Sequence, residues 1–385
     1  MRAKGLAKAE VLARLRQTNS KDVKYRDGKI LCSMCTSPHP MAKRAYEMFL
    51  ESNLGDPGLF QGSVQLENEA VNSLIKLLHG PKGASGFIVS GGTEANLLAL
   101  FAARKASTLV EPEVVAPESA HFSFEKICDI LKIKLVKARL DNTFRVDPAE
   151  VESHINAHTL AIIGNAGSAE LGTVDPISVL SKIALNHGIP LHVDAAFGGL
   201  VLPFFEKLGY TAEAFDFSLN GVHSITVDPH KMGVVPIPAG GILFRNSNSL
   251  QGIQTSTPYL TEPRQFTFVG TRSGASVAAT WAVFESLGRE GFEKNVKRCM
   301  YLTMFLNKEL RELGFEIVVK PTINIVAFRG DNSKQLVTRL RERGWYVSYV
   351  PRLDCVRIVV MPHSTKRHIC DFLKIIQEVG NPPIA

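Results

Sequence analysis

From residue 85 to 245, short apolar runs alternate with stretches of helical periodicity. The runs are Phe87–Ser90, Val114–Ala116, Leu135–Ala138, Leu160–Gly164, Leu191–Asp194, Ser224–Val227 and Gly241–Phe244. They are rich in Val and Ile, and several run straight into Gly, Asp or Ser. Continuous apolar strands bounded by turn residues are buried on both faces. Helical patterns lie between them, such as Glu94–Lys105 and Asp175–His187. Such βαβ alternation predicts a largely parallel sheet with helices on both sides. A long helix is expected over Ala275–Leu287, and beyond it the texture changes. Lys294–Leu313, Ser333–Arg343 and Ser364–Val379 read as helices, with strands at Ile317–Val319, Ile323–Phe328, Trp345–Val350 and Cys355–Val360. The expected organisation is an N-terminal arm (1–60), a large α/β domain (61–285) and a small α+β domain (286–385). In open α/β sheets, ligands bind beyond the carboxyl ends of the strands. The polar residues that follow each run are therefore the candidates for chemistry.

Composition adds mainly exclusions. Of 385 residues, 45% are hydrophobic and 21% charged, which rules out disordered and collagen-like classes. No run of about 18 apolar residues predicts a membrane span. The net charge of +7 is concentrated at one end. Residues 1–30 hold nine Lys/Arg against three acids, so the remainder is nearly neutral. A nucleic-acid binder would carry its basic face on the folded body, so none is expected as partner. The basic segment reads as a short surface helix that docks on a partner through Leu6, Leu12 and Leu15. A transit peptide fits less well, because the segment is poor in Ser and contains acids. The six scattered cysteines, without an export signal, predict reduced thiols in a cytoplasmic protein. Cys32 and Cys35 have C-x-x-C spacing with His39 behind them, but no second pair completes a structural zinc site. No metal is expected.

Three strand ends carry the chemistry. Ser90-Gly91-Gly92-Thr93-Glu94-Ala95-Asn96 follows the first run and opens a helix. Two glycines, free N–H groups and the Thr93 hydroxyl would make an anion site there. A glycine turn with a Thr cap is the structural alternative. In Leu191-His192-Val193-Asp194-Ala195-Ala196, an acid ends a buried strand, which is costly unless it is paired. A protonated ring nitrogen would suit it, and small Ala196 leaves room for a flat ring. In Asp228-Pro229-His230-Lys231, a lysine sits in an apolar context where desolvation would lower its pKa for Schiff-base chemistry. His121 follows the second run. A phosphate cradle, a buried acid, a stacking-capable His and a candidate Schiff-base Lys match the needs of pyridoxal 5′-phosphate (PLP).

With these motifs, the chain resembles the archaeal L-tyrosine/L-aspartate decarboxylases, group II PLP-dependent decarboxylases of fold type I. The resemblance is also carried by Ser33-Met34-Cys35-Thr36-Ser37-Pro38-His39-Pro40, Asn53-Leu54-Gly55-Asp56-Pro57-Gly58-Leu59-Phe60, Gly270-Thr271-Arg272-Ser273-Gly274 and Arg357-Ile358-Val359-Val360-Met361-Pro362-His363. It implies the fold-type I transferase fold: a mostly parallel mixed sheet in a large domain plus a small α+β C-terminal domain. It implies that Lys231 carries the cofactor, Asp194 pairs with its ring nitrogen, and His121 stacks on the ring. Ser90, Gly92, Thr93 and His230 are implied phosphate ligands, and Asp228 and Ala196 belong to the same pocket. Ser168 stands where relatives often carry Thr near the ring hydroxyl. Arg357 is the implied anchor for the substrate α-carboxylate, held bidentately. Tyr259 is implied to donate the proton that replaces CO₂. The family further implies a homodimer, with the Thr257–Gly274 loop reaching the neighbour's site and Thr271 completing the neighbour's phosphate cradle.

The substrate stays open at this point: aspartate, tyrosine and glutamate all fit. Aspartate is favoured by the family's distribution, with β-alanine for coenzyme A as its product. Its β-carboxylate would need a second cation or donor, for which His39, Arg352 and Arg272 are candidates. A PLP-dependent carbon–carbon lyase, a transaminase and an inactive scaffold are the competing readings. The intact Lys231, Asp194 and His121 argue against the last.

Overall fold

The computed structural model describes residues 1–380. All seven runs form strands, each within two residues of the expected bounds. They are β1 (Ser85–Val89), β2 (Glu113–Pro117), β3 (Lys134–Ala138), β4 (Thr159–Asn165), β5 (Leu191–Asp194), β6 (Val222–Val227) and β7 (Gly240–Phe244). They join in one sheet of order β1-β7-β6-β5-β4-β2-β3. Only β7 runs against the others, pairing antiparallel with β1 and β6. Every residue of β4, β5 and β7 is buried, as continuous apolar strands require. β3 closes one edge and turns Lys134 and Lys137 outward, which blunts that edge against pairing.

Before the sheet come α1 (Lys8–Asn19), α2 (Pro40–Met48) and α3 (Gln61–Leu77). The crossovers carry α4 (Gly92–Ala106), α5 (Ser123–Leu131), α6 (Pro148–Ser153) and α7 (Ile177–His187). After β7, a two-stranded ribbon forms from β8 (Thr255–Ser256) and β9 (Arg264–Gln265). The expected open loop at 257–274 is thus partly a hairpin, with Tyr259 in its turn. Its pairing strands are too short and too polar to show a period of two. The two helices expected around residue 290 are both present; they follow one another within α8 (Gly274–Glu312) across a kink at Gly288, whose φ of 53° is not helical. Glycine reaches that conformation without a Cβ clash, so the chain turns there without a loop.

A second antiparallel sheet has order β10-β11-β13-β12, built from β10 (Glu316–Ile317), β11 (Ile325–Arg329), β12 (Ser348–Val350) and β13 (Cys355–Val359). It packs against α8, α9 (Ser333–Glu342) and α10 (Lys366–Val379) through Phe328, Trp345 and Phe372. Residues 29–31 lie along this sheet: Leu31 donates to the Tyr346 carbonyl at 2.8 Å and is fully buried. α1 has no buried residue, and Leu12 and Leu15 point outward. No helix among the described residues is long and apolar enough to cross a membrane. β1, β4, β5 and β6 end on the same side of the large sheet, and the candidate residues gather there.

Candidate active site

β1 ends at Val89, and the chain turns through Ser90 and Gly91 into α4. No side chain caps this helix, so its first N–H groups remain available at a positive helix end. Glu94 is committed to holding the turn: it accepts from Ser90 N at 2.8 Å and from Val269 N at 3.1 Å. A Cβ on Gly92 would stand 2.9 Å from Asp228 Oδ2 and 3.3 Å from Ala196 Cβ, so only glycine keeps this cradle open.

β5 delivers Asp194, which accepts from Asn96 Nδ2 at 2.9 Å and from Ala196 N at 3.1 Å. β6 delivers Asp228, and the Pro229 turn returns Lys231 onto it. Lys231 Nζ lies 3.0 Å from Asp228 Oδ2, and His230 Nε2 lies 3.7 Å from the same oxygen. The other oxygen, Asp228 Oδ1, is buried and has no partner. Burial alone would push the Lys231 ammonium down, but the Asp228 and Asp194 carboxylates outweigh it and hold the group above the ordinary lysine range. This corrects the expectation of a lowered pKa, which counted desolvation without the paired acids. Burial lowers His121 and His230, so both imidazoles are neutral at neutral pH. His121 accepts from Ser123 N through Nδ1 at 3.2 Å.

These groups face a cavity of about 360 Å³. Ser90, Gly92, Thr93, His121, Ser168, Asp194, Ala196, Asp228, His230 and Lys231 all line it. Asn96, Asn165, Met34, Phe197 and Ile237, which sequence reasoning missed, line it too. Asn96 and Asn165 carried a signal: each is polar amid an apolar helix face or strand. Ser168 Oγ sits 2.9 Å from Thr173 Oγ1 at the cavity wall.

Other expected residues are not brought to the cavity of this chain. Arg357 is buried on β13, where Nη1 donates to the Cys32 carbonyl at 2.9 Å and burial pushes the group down to about 10. Its Nε has no partner. His39 caps α2, accepting from Met41 N at 3.3 Å. Tyr259 is 87% exposed and Thr271 is exposed. Arg272 grips Glu67 through both terminal nitrogens and donates to the Ile88 carbonyl at 2.9 Å. Arg352 pairs with Glu170. Both arginines are thus already engaged by carboxylates and, as the chain stands, offer no free cation to a substrate. Cys32 and Cys35 are free and half-buried, and burial raises both thiols above the ordinary range.

Residues 62–331 match the pyridoxal-dependent decarboxylase conserved domain. The chain belongs to the pyridoxal-dependent decarboxylase family. A probable L-tyrosine/L-aspartate decarboxylase of Methanothrix thermoacetophila is 48% identical, over 98% of this chain and 96% of its own. An L-aspartate/L-glutamate decarboxylase of Pyrococcus horikoshii is 47% identical, over 97% and 98%. Among solved structures, a Burkholderia pseudomallei sphingosine-1-phosphate lyase superposes with a TM-score of 0.92 at 29% identity, over 98% of this chain and 92% of that one. The cofactor of this decarboxylase is PLP, and the residues present fit it. The cavity offers a primary amine, a strand-end acid, a neutral imidazole and an uncapped helix N-terminus. Asp228 Oδ1 and the Gly92 gap show a site shaped for more than its own side chains.

Proposed function

We propose that this PLP-dependent amino-acid decarboxylase acts on L-aspartate and releases β-alanine and CO₂, the β-alanine serving coenzyme A synthesis in the cytoplasm. The supporting observation is a shared name: the two relatives carry different pairs of amino acids in their names, and aspartate is common to both.

In this reading, Lys231 would hold the cofactor through its side-chain amine. Asp228 holds the lysine in place beforehand. Asp194 would hold the ring nitrogen, His121 and Ala196 would pack on the ring, and Ser168 would serve the ring hydroxyl. Ser90, Gly92, Thr93 and His230 hold the phosphate. When bound, PLP supplies the electron sink for the bond to the departing carboxylate. Arg357 orients the α-carboxylate, which requires its guanidinium to turn from the Cys32 carbonyl; His39 supports substrate binding from the same side. Tyr259 delivers a proton to the α-carbon after CO₂ leaves. Tyr259 does so in the site of a second copy, and Thr271 completes that site's phosphate cradle; both are exposed in their own chain.

Decarboxylation rates across the twenty L-amino acids test the substrate. Aspartate should exceed tyrosine and glutamate by at least about tenfold in kcat/KM, the discrimination a side-chain pocket readily supplies. Equal rates, or a preference for either competitor, would overturn the assignment. A carbon–carbon lyase is the second reading, favoured by the superposition on the sphingosine-1-phosphate lyase. It predicts aldehyde from a phosphorylated amino alcohol and no CO₂ from any amino acid.

A further inference from the structure

Behind the cavity lies a row of buried polar side chains to which no role has been given. His192 and Asp194 are two residues apart on β5, and Ser224 and Thr226 are two apart on β6. Each pair therefore points to one face of the sheet. α4 covers that face, and its Asn96 reaches between the pairs. Asn96, His192, Ser224 and Thr226 are all 5% exposed or less.

The hydrogens of this row can be assigned from one end. An ionised Asp194 can only accept, so the Asn96 atom 2.9 Å from its Oδ2 must be the amide nitrogen. That orientation turns Asn96 Oδ1 to Thr226 Oγ1 at 2.7 Å and to His192 Nε2 at 3.0 Å. An amide oxygen only accepts, so His192 carries its hydrogen on Nε2. Its Nδ1 is then bare and accepts from Ser224 Oγ at 2.8 Å. Burial, which pushes His192 down to about 4, agrees with a neutral ring. Apart from a second, longer Asn96 Nδ2 contact to Ser123 Oγ at 3.4 Å, the donors in the row point toward Asp194, and such chains polarise one another.

We propose that Asn96 and His192 are positioning residues for the decarboxylation: with Ser224 and Thr226 they form a one-directional hydrogen-bond chain that keeps Asp194 ionised and aimed into the cavity. The proposal rests on the reading of Asp194 as partner of the cofactor's ring nitrogen. A carboxylate only 9% exposed needs donors to stay charged, and the chain supplies one through Asn96 Nδ2 beside that of Ala196 N.

Two measurements on the holoenzyme test it. First, ¹⁵N-histidine NMR, assigned by difference with His192→Gln, should show His192 neutral and protonated at Nε2 between pH 6 and 8. An Nδ1–H tautomer or a charged ring overturns the chain, and this readout needs no variant to be active. Second, ¹⁵N-labelled PLP reports whether the ring nitrogen is protonated. It should be protonated in the parent and stripped of its proton in Asp194→Asn and in Asn96→Leu, which leaves Asp194 without that donor. Losing a hydrogen bond to a charged group should also weaken PLP binding in Asn96→Leu by about 10- to 100-fold. His192→Leu should lower kcat by roughly tenfold with KM unchanged, and His192→Gln, which keeps a donor, should recover most of it. If Asp194→Asn leaves the ring protonated, the reading of Asp194 fails and takes the proposal with it. If Asp194→Asn strips the proton and Asn96→Leu does not, the proposal alone fails.

Discussion

At Lys231, one side chain carries both chemistry and charge balance, and the two can be separated. Lys231→Ala should abolish turnover and the visible band of the bound cofactor. It also leaves Asp228, whose side chain is 1% exposed, without its cation. Breaking a buried pair typically costs about 3–5 kcal/mol, so urea unfolding should show that loss. Lys231→Ala/Asp228→Asn should regain most of the stability but no colour. A yellow, active Lys231→Ala would refute the assignment. A second pair of residues sets a pH dependence. His192 falls from 6.5 to about 4 on folding, and buried Asp175 rises from 3.8 to about 6. Between pH 6.5 and 4 the unfolded chain protonates the histidine and the folded one does not, so His192 removes about 3 kcal/mol as pH falls. Asp175 acts oppositely, because the folded acid takes its proton first. Relative to the parent, His192→Gln should gain stability at pH 5 and Asp175→Asn should lose it. Equal slopes in all three proteins would contradict both shifts. The strand-end residues were legible because an acid or lysine closing an apolar run has few inexpensive explanations. Arg272 and Arg352 were not: their partners, Glu67 and Glu170, stand 205 and 182 residues away.

At the scale of elements, the β1–α4 junction makes the site by what it lacks. No cap occupies the helix end, and no side chain fills the space at Gly92. Gly92→Ala should leave α4 intact, since alanine is the strongest helix former. Its methyl would press on Asp228 Oδ2, and overpacking of this kind typically costs about 1–3 kcal/mol. The PLP dissociation constant, measured by titration of the apoprotein, should therefore rise by about 10- to 100-fold. An unchanged constant would show that the cradle is not the binding wall. Elements were legible where one pattern ran for several residues, as in the seven sheet strands. The β8–β9 ribbon escaped because its register is set by packing on the 53–60 segment. Thr261 N donates to Asp56 Oδ1 at 2.9 Å, and a Cβ on Gly58 would strike Thr261. The break at Gly288 was legible: the first of the two expected helices ends at Leu287, and a glycine at positive φ interrupts the helical path at the next residue.

At the scale of the molecule, the ribbon and α1 leave large apolar and aromatic side chains at the surface. Tyr259, in the turn of the ribbon, is 87% exposed and Phe268, beyond it, 61%; Asp56 holds the same turn at Thr261. α1 presents Val11, Leu12 and Leu15 at its exposed surface. If the ribbon serves the neighbour's site, defects in Tyr259 and Lys231 lie in different sites and should complement. Tyr259→Phe alone should reduce amine formation by about 10²- to 10⁴-fold, the usual contribution of a general acid. Lys231→Ala alone should be inactive. Purified heterodimers of the two chains contain one site with both good residues and one with neither. They should show about half the parental activity per dimer, as two-fold symmetry requires. Mass measurement of the parent should give a dimer at assay concentrations. A monomeric parent, or inactive heterodimers of verified composition, would place Tyr259 in its own subunit's site or outside any site. An unchanged amine yield in Tyr259→Phe would remove the residue from the reaction.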